Sequence, residues 1–203
     1  MALSIRPSDR VAFIGKTGSG KTYAARLLAL PIDRLVVLDP KGTLKGKWGL
    51  REWGTRTRRD LAKGKPVRVR FAAPIGDEEQ IAAFYDQVFK LCYEAGHVTV
   101  YIDEVYGVLS KSGRPGPWLT ALYTRGRELG IGVWAATQRP AWVPRFILSE
   151  TEWFLVFRLQ LADDRKRVEE IIGTDIGDLQ QHQFVLYNAE WDSPKRFDSI
   201  ASA

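Results

Sequence analysis

Gly15-Lys16-Thr17-Gly18-Ser19-Gly20-Lys21-Thr22 is the stretch on which the reading of the whole 203-residue chain turns. It meets the pattern G-x-x-x-x-G-K-[ST] at every fixed position, and each fixed residue has a physical task. The glycines let the backbone wrap with its N–H groups turned inward onto phosphate oxygens, while a helix starting at Lys21 adds the positive end of its dipole. Lys21 is expected to reach the β- and γ-phosphates of a bound nucleotide, and the Thr22 hydroxyl to ligate Mg²⁺. All eight residues, Gly15 to Thr22, are the expected nucleotide contacts.

Working outward, Val11–Ile14 reads as a buried strand before the loop and Lys21–Leu30 as a helix stopped by Pro31. Arg34–Leu38 reads as a second strand, and Val67–Phe71 as a half-buried one. Asp77 with Gln80 forms a capping-box pattern ahead of a helix running to about Ala95. Val98–Ile102 is a further strand ending at Asp103-Glu104. Ser110–Pro117 is a Gly/Pro loop, Trp118–Leu129 a helix closed by Gly130, and Ile131–Ala136 a strand running into Thr137-Gln138. Strands near Trp153–Phe157 and Phe184–Tyr187 flank a charged helix at about Asp163–Ile172. Alternation at this pitch predicts an α/β three-layer fold around a mainly parallel central sheet.

At the end of its strand, Asp103 is placed to hold the metal ion, and Glu104 to take the proton of a water attacking the γ-phosphate. A phosphate switch needs no acid at Glu104, whereas repeated hydrolysis does, so ATP turnover is expected. Gln138 can orient that water or sense the γ-phosphate, because an amide both donates and accepts. Arg127, then Arg125, are the expected arginines for a neighbour's active site, with Arg139, Arg145 and Arg158 behind them.

Composition sets outer limits. With 45% hydrophobic and 27% charged residues the chain can bury one sizeable core, which predicts one domain over residues 1–203 and excludes a disordered chain. No apolar run approaches the roughly 18 residues that cross a bilayer, so no membrane span is expected. Met1–Arg10 has no apolar leader, and Cys92 is the only cysteine, which together predict a reducing cytoplasm. The net charge is +6, yet residues 41–70 alone hold eleven bases and two acids, leaving −3 for the remainder. Positions 41–66 read as a long basic insertion with one short helix near Thr57–Lys63. Lys41, Lys45, Lys47, Arg56, Arg58 and Arg59, with Lys111 and Arg114 on the second loop, are the expected contacts to DNA phosphates. Trp48 and Trp53 in the same segment have an anchoring role as their plain alternative.

Taken together, GKTGSGKT at 15–22, LVVLDPKG at 35–42, VTVYIDE at 98–104 and RGRELGIGVWAATQRP at 125–140 resemble the ATPase core of the FtsK/HerA superfamily of DNA-pumping motors. RVEEIIGTDIGD at 167–178 and the strand after it resemble that core's closing helix and strand. The resemblance implies a P-loop NTPase of the ASCE, RecA-like type. It also implies a homo-oligomeric ring, pentamer or hexamer, that hydrolyses ATP at subunit interfaces, with an arginine given in trans and Gln138 as sensor. Double-stranded DNA is the implied partner. The chain has no room for the N-terminal barrel, the winged-helix domain or the nuclease domain of larger relatives. That size fits a viral or phage genome-packaging motor, for which the host cytoplasm, the virion vertex and a portal or capsid vertex protein are the expected setting.

Two alternatives stay open on sequence. A small-molecule or nucleotide kinase fits about 200 residues, but the Asp103-Glu104 pair and the ATQRP strand end suit it poorly. An ATP-dependent assembly or secretion protein would turn the basic face to a protein or an anionic membrane. No Asn-Lys-x-Asp guanine signature is present.

Overall fold

The computed structural model describes residues 5–202; the first four residues of the Met1–Arg10 stretch, and Ala203, lie outside the described residues. Its spine is a nine-stranded sheet: β1 (Arg10–Ile14), β2 (Arg34–Asp39), β3 (Arg51–Glu52), β4 (Val67–Ala72), β5 (Thr99–Ile102), β6 (Gly132–Thr137), β7 (Trp153–Phe157), β8 (Phe184–Asn188) and β9 (Lys195–Phe197). They lie in the order β3-β4-β2-β5-β6-β1-β7-β8-β9, parallel from β3 to β7 and antiparallel at β7–β8 and β8–β9.

Strands buried on both faces read as near-continuous apolar runs, and β1, β2, β5 and β6 do so between polar end residues such as Arg10, Asp39, Thr99 and Thr137. Within β1, Ala12 and Ile14 belong to one apolar cluster and Val11 and Phe13 to another; β2 divides Val36 and Leu38 from Leu35 and Val37 in the same way. Side chains that alternate between two cores place the sheet between two covering layers. One layer holds α3 (Glu78–Ala95) and α4 (Pro117–Arg125), through Tyr85, Phe89, Leu119 and Leu122, with Leu61 of α2 (Thr55–Ala62) and Val168 of α6 (Ala162–Ile172). The other holds α1 (Lys21–Leu28), through Ala24 and Ala25, with Leu44 and Trp48 of the turn after β2.

Local signals account for most boundaries. The Asp77 carboxylate accepts from the Gln80 N–H at 2.9 Å, and the Gln80 side chain accepts from the Asp77 N–H at 3.2 Å, so both halves of the predicted cap exist. The expected helix over Trp118–Leu129 is broken instead. It is α-helical only to Arg125 and continues as a 3-10 turn, Gly126–Leu129, before Gly130 reverses the chain at φ 67. The short helix α5 (Arg145–Ser149) and the strands β3 and β9 were not expected from sequence.

The basic segment after β2 is more ordered than a long loop. Asp39, wholly buried, accepts from the Thr43 and Leu44 N–H groups at 3.0 and 2.8 Å and from the Arg70 guanidinium at 2.6 Å. Arg70 also grips Glu52, which holds the two-residue β3 against β4. Trp48 packs on Tyr101 with ring centres 4.9 Å apart, and Trp53 on Phe71 at 4.2 Å, so both tryptophans are anchors. Breaking a buried ion pair from one side leaves the other charge stranded. Asp39→Ala is therefore expected to lower the free energy of urea unfolding by about 3 kcal/mol; a loss too small to resolve would show that the turn stands without the carboxylate.

Candidate active site

Register brings the predicted residues together. Leu38 pairs with Ile102, Ile102 with Ala135, and Thr137 with Ile14, so β2, β5, β6 and β1 all run out to the same edge of the sheet, β6 and β1 ending two residues beyond β5. Ligands of open parallel sheets bind beyond that carboxyl edge. β6 lies between β1 and β5, which sets Gln138 between the phosphate loop and Asp103-Glu104.

The loop itself is pinned on both sides. The Gly15 N–H donates to the Thr137 carbonyl at 3.1 Å, and the Lys16 N–H to the Arg158 carbonyl at 2.9 Å. A Cβ on Gly15 would lie 2.7 Å from the Cβ of Phe157, and φ there is +156, so only glycine fits. The Lys21 ammonium curls under the loop and donates to the carbonyls of Gly15 and Lys16 at 2.6 and 2.8 Å. Burial lowers its pKa from 10.5 to about 8; Glu104 and Asp103 work against that shift, and Lys41 adds to it.

The Thr22 hydroxyl donates to Asp103 Oδ1 at 3.1 Å, and the hydroxyl of wholly buried Tyr101 donates to the same oxygen at 2.9 Å. Desolvation, and next the Asp103 charge, push the Tyr101 phenol well above its ordinary pKa, which keeps it a donor. A hydroxyl and a carboxylate side by side at the end of a phosphate loop are hard oxygen donors of the kind Mg²⁺ selects, so the residues fit that ion.

Glu104 is nearly buried. Its Oε2 meets the Lys41 ammonium at 3.3 Å, and its Oε1 has no hydrogen-bond partner among the described residues. Gln138 accepts from the Thr17 hydroxyl at 2.5 Å, joining the end of β6 to the phosphate loop. Beyond it, Arg139 lies over the Trp142 ring at 4.0 Å and pairs with the buried Asp164 of α6 at 3.0 Å.

The other predicted residues lie elsewhere. Arg127 pairs with Glu152 at 2.8 Å, and Glu152 also accepts from the N–H of Arg10, the first residue of β1. That is the opposite edge of the sheet, so Arg127 does not face its own phosphate loop. Arg125, two residues earlier, stacks over Tyr93 at 5.8 Å. Lys45, Lys47, Arg56, Arg58, Arg59, Lys111 and Arg114 are exposed. Lys41 is set apart from them by its contact with Glu104. Arg68 and Arg70, counted in the basic excess, are structural: Arg68 donates to the Ala29 carbonyl at 2.8 Å, and Arg70 is buried with Asp39. The role of Tyr101 was missed, although its place two residues before Asp103, on the same face of β5, was the available signal.

The fold and site define a P-loop ATPase. The chain is 30% identical over 187 residues to the DNA packaging ATPase P9 of Enterobacteria phage PRD1, an alignment covering 86% of this chain and 76% of that one, and it belongs to that family of FtsK/HerA-type viral packaging ATPases. In fold it is similar to the genome packaging NTPase B204 of Sulfolobus turreted icosahedral virus 2 in complex with ATP-gammaS, with TM-score 0.79, 17% identity, and coverage of 96% of this chain and 99% of that one. VirB4 of Thermoanaerobacter pseudethanolicus matches with TM-score 0.70 and 10% identity over 94% and 89% of the two chains. No protein-family model matches the chain. Among the described residues no helix is long and apolar enough to cross a membrane.

Lys21 gives the site a pH signature. Its folded pKa lies below its unfolded value, so the folded chain binds fewer protons between about pH 8 and 10.5, and the cost of burying the charge is present below pH 8 and relieved as pH rises through that window. Lys21→Met removes the charge. Its stability advantage over the parent is expected to be full near pH 8 and to shrink by about 3 kcal/mol towards pH 10.5, read by urea unfolding across the range. An advantage that does not change with pH would contradict the assignment.

Proposed function

We propose that the chain is an ATP-driven DNA translocase working as a homo-oligomeric ring in genome packaging, docked at a capsid vertex, with host cytoplasm as its setting. The observation that carries this reading is the convergence of Lys21, Thr22, Asp103 and Glu104 at one sheet edge, with Thr22 and Asp103 hydrogen-bonded at 3.1 Å. The triphosphate lies along residues 15–22, held by inward N–H groups and by the Lys21 ammonium. Its nucleoside enters a cavity of about 510 Å³ bordered by Lys16, Arg158, Gln160, Gly177 and Gln180. Thr22 and Asp103 would hold Mg²⁺, which would supply charge neutralisation at the phosphates. Glu104, through its unengaged Oε1, accepts the proton of the attacking water, and Gln138 orients that water.

In this reading Arg127, or Arg125, enters the site of a neighbouring copy. The exposed lysines and arginines of residues 45–59 and of the Ser110–Pro117 loop grip phosphates without reading bases. Phosphate transferred to an acceptor other than water would favour a kinase and defeat the proposal.

Three outcomes test it. Glu104→Gln is expected to bind ATP about as tightly as the parent and to turn it over roughly 100-fold more slowly, the usual weight of a general base; retained turnover would remove Glu104 from the role. Duplex DNA is expected to raise the ATPase rate at low salt, and a rate indifferent to DNA would sink the translocase reading. Replacing Arg56, Arg58 and Arg59 together by Gln is expected to flatten the slope of log affinity against log salt by up to about 3.

A further inference from the structure

Resting on that reading for its setting, we propose that a cup between α5 and α6, at the edge of the sheet away from the phosphate loop, docks an acidic peptide segment of a vertex protein, one with an apolar side chain beside a carboxylate. The cavity measures about 450 Å³. Buried Leu148 and Phe154, with half-buried Phe146, Ile171 and Tyr187, give it an apolar lining. Its charges come from Arg145, Arg167 and Glu170.

Those charges are not balanced within the fold. Arg167 Nε is shut off from solvent without a hydrogen-bond partner, and its guanidinium engages no carboxylate, among the described residues. A buried donor left unpaired is costly until an acceptor reaches it. Arg145, with its side chain 80% exposed, meets Glu170 only at 3.9 Å, a contact too long and too wet to contribute much. Two guanidinium groups against one carboxylate leave the cup positive, and a guanidinium matches an incoming carboxylate with two parallel N–H bonds. Apolar lining and cationic rim together fit an apolar side chain with an acid next to it: the first fills the volume, the second meets Arg167. Duplex DNA fits poorly, because phosphates on a convex rod would leave the apolar lining wet.

The location suits an anchor. Thr151 borders the cup just ahead of β7, which runs parallel to β1, and the far end of β1 carries the phosphate loop. Tyr187 pairs with Phe154 across β7 and β8, so it stands at the same end. The expected DNA contacts lie towards the other flank, around β3 and beyond the end of β5. A partner gripped at this cup leaves both working faces open, as a motor fixed at a vertex requires.

The test uses the full chain and, as probe, a fluorescein-labelled peptide carrying one phenylalanine between pairs of glutamates. Binding is read by fluorescence anisotropy, beside ATP turnover, oligomer mass by sedimentation and the unfolding midpoint. The parent is expected to bind the probe and to ignore counterparts with alanine for the phenylalanine or lysines for the glutamates. Arg167→Gln is expected to weaken binding about tenfold, the loss of one charge-assisted hydrogen bond. Glu170→Gln is expected to tighten it about threefold by freeing Arg145, a gain that a misfolded variant cannot imitate. Both variants keep the parent's turnover, mass and midpoint. A probe that binds both variants as it binds the parent overturns the site. Loss of oligomer mass in Arg167→Gln would make the cup a joint between copies, and displacement of the probe by duplex DNA would make it a nucleic-acid surface; either result refutes the docking of an acidic peptide. If the parent ignores the probe while duplex DNA still stimulates turnover, the docking site falls and the translocase reading stands. If turnover ignores DNA, that reading fails and takes the vertex partner with it.

Discussion

Four parallel strands running out to one edge of the sheet are the constraint from which the chemistry follows. Had β5 slipped one residue against β6, Asp103 would face the opposite side of the sheet, because side chains alternate with period two. The slip is opposed by burial, since Val100 and Ile102 belong to one core and Tyr101 to the other. Exchanging them would drive the phenol of Tyr101 into the opposite apolar cluster and cost it the bond to Asp103. Core packing and site geometry are thus fixed by the same register.

The site is electrostatically balanced. Two ammonium groups, Lys21 and Lys41, stand against two carboxylates, Asp103 and Glu104, and each charge has an opposite within its surroundings. Lys21 nonetheless suffers more from desolvation than it gains from the acids, so the loop stores a cation whose burial is costly until phosphate oxygens arrive. Tyr101 and Thr22 settle Asp103 by direct hydrogen bonds, whereas among the described residues Glu104 has a single ion pair and a free oxygen. The acid with fewer ties is the one assigned a proton in the mechanism.

The phosphate loop, the strand order of events around it and the Asp103-Glu104 pair were legible because each depends on local pattern: glycines at fixed spacing, apolar runs, a capping box. The helix bound to Asp77 was readable to its last residue for the same reason. What escaped depended on residues distant in sequence. β3 contains no apolar residue and exists because Arg70, eighteen residues later, holds Glu52. Lys41 looked like one more base in a charged run; only the folding of Asp39 into the core turns it towards Glu104. A net charge read from sequence likewise counts Arg68 and Arg70 as surface, although both are spent inside the fold.

Glu152 ties Arg127 to the start of β1, while the phosphate loop stands at that strand's other end. In the proposed ring, where Arg127 of one copy serves the phosphate loop of the next, the two ends of that strand belong to successive interfaces. A contact of that kind is head-to-tail, a heterologous joint whose outcome is set by the angle between successive copies: a closed circle if the rotation divides a full turn, an open helix if it does not. On that proposal the polarity of a single strand becomes the direction in which copies follow one another.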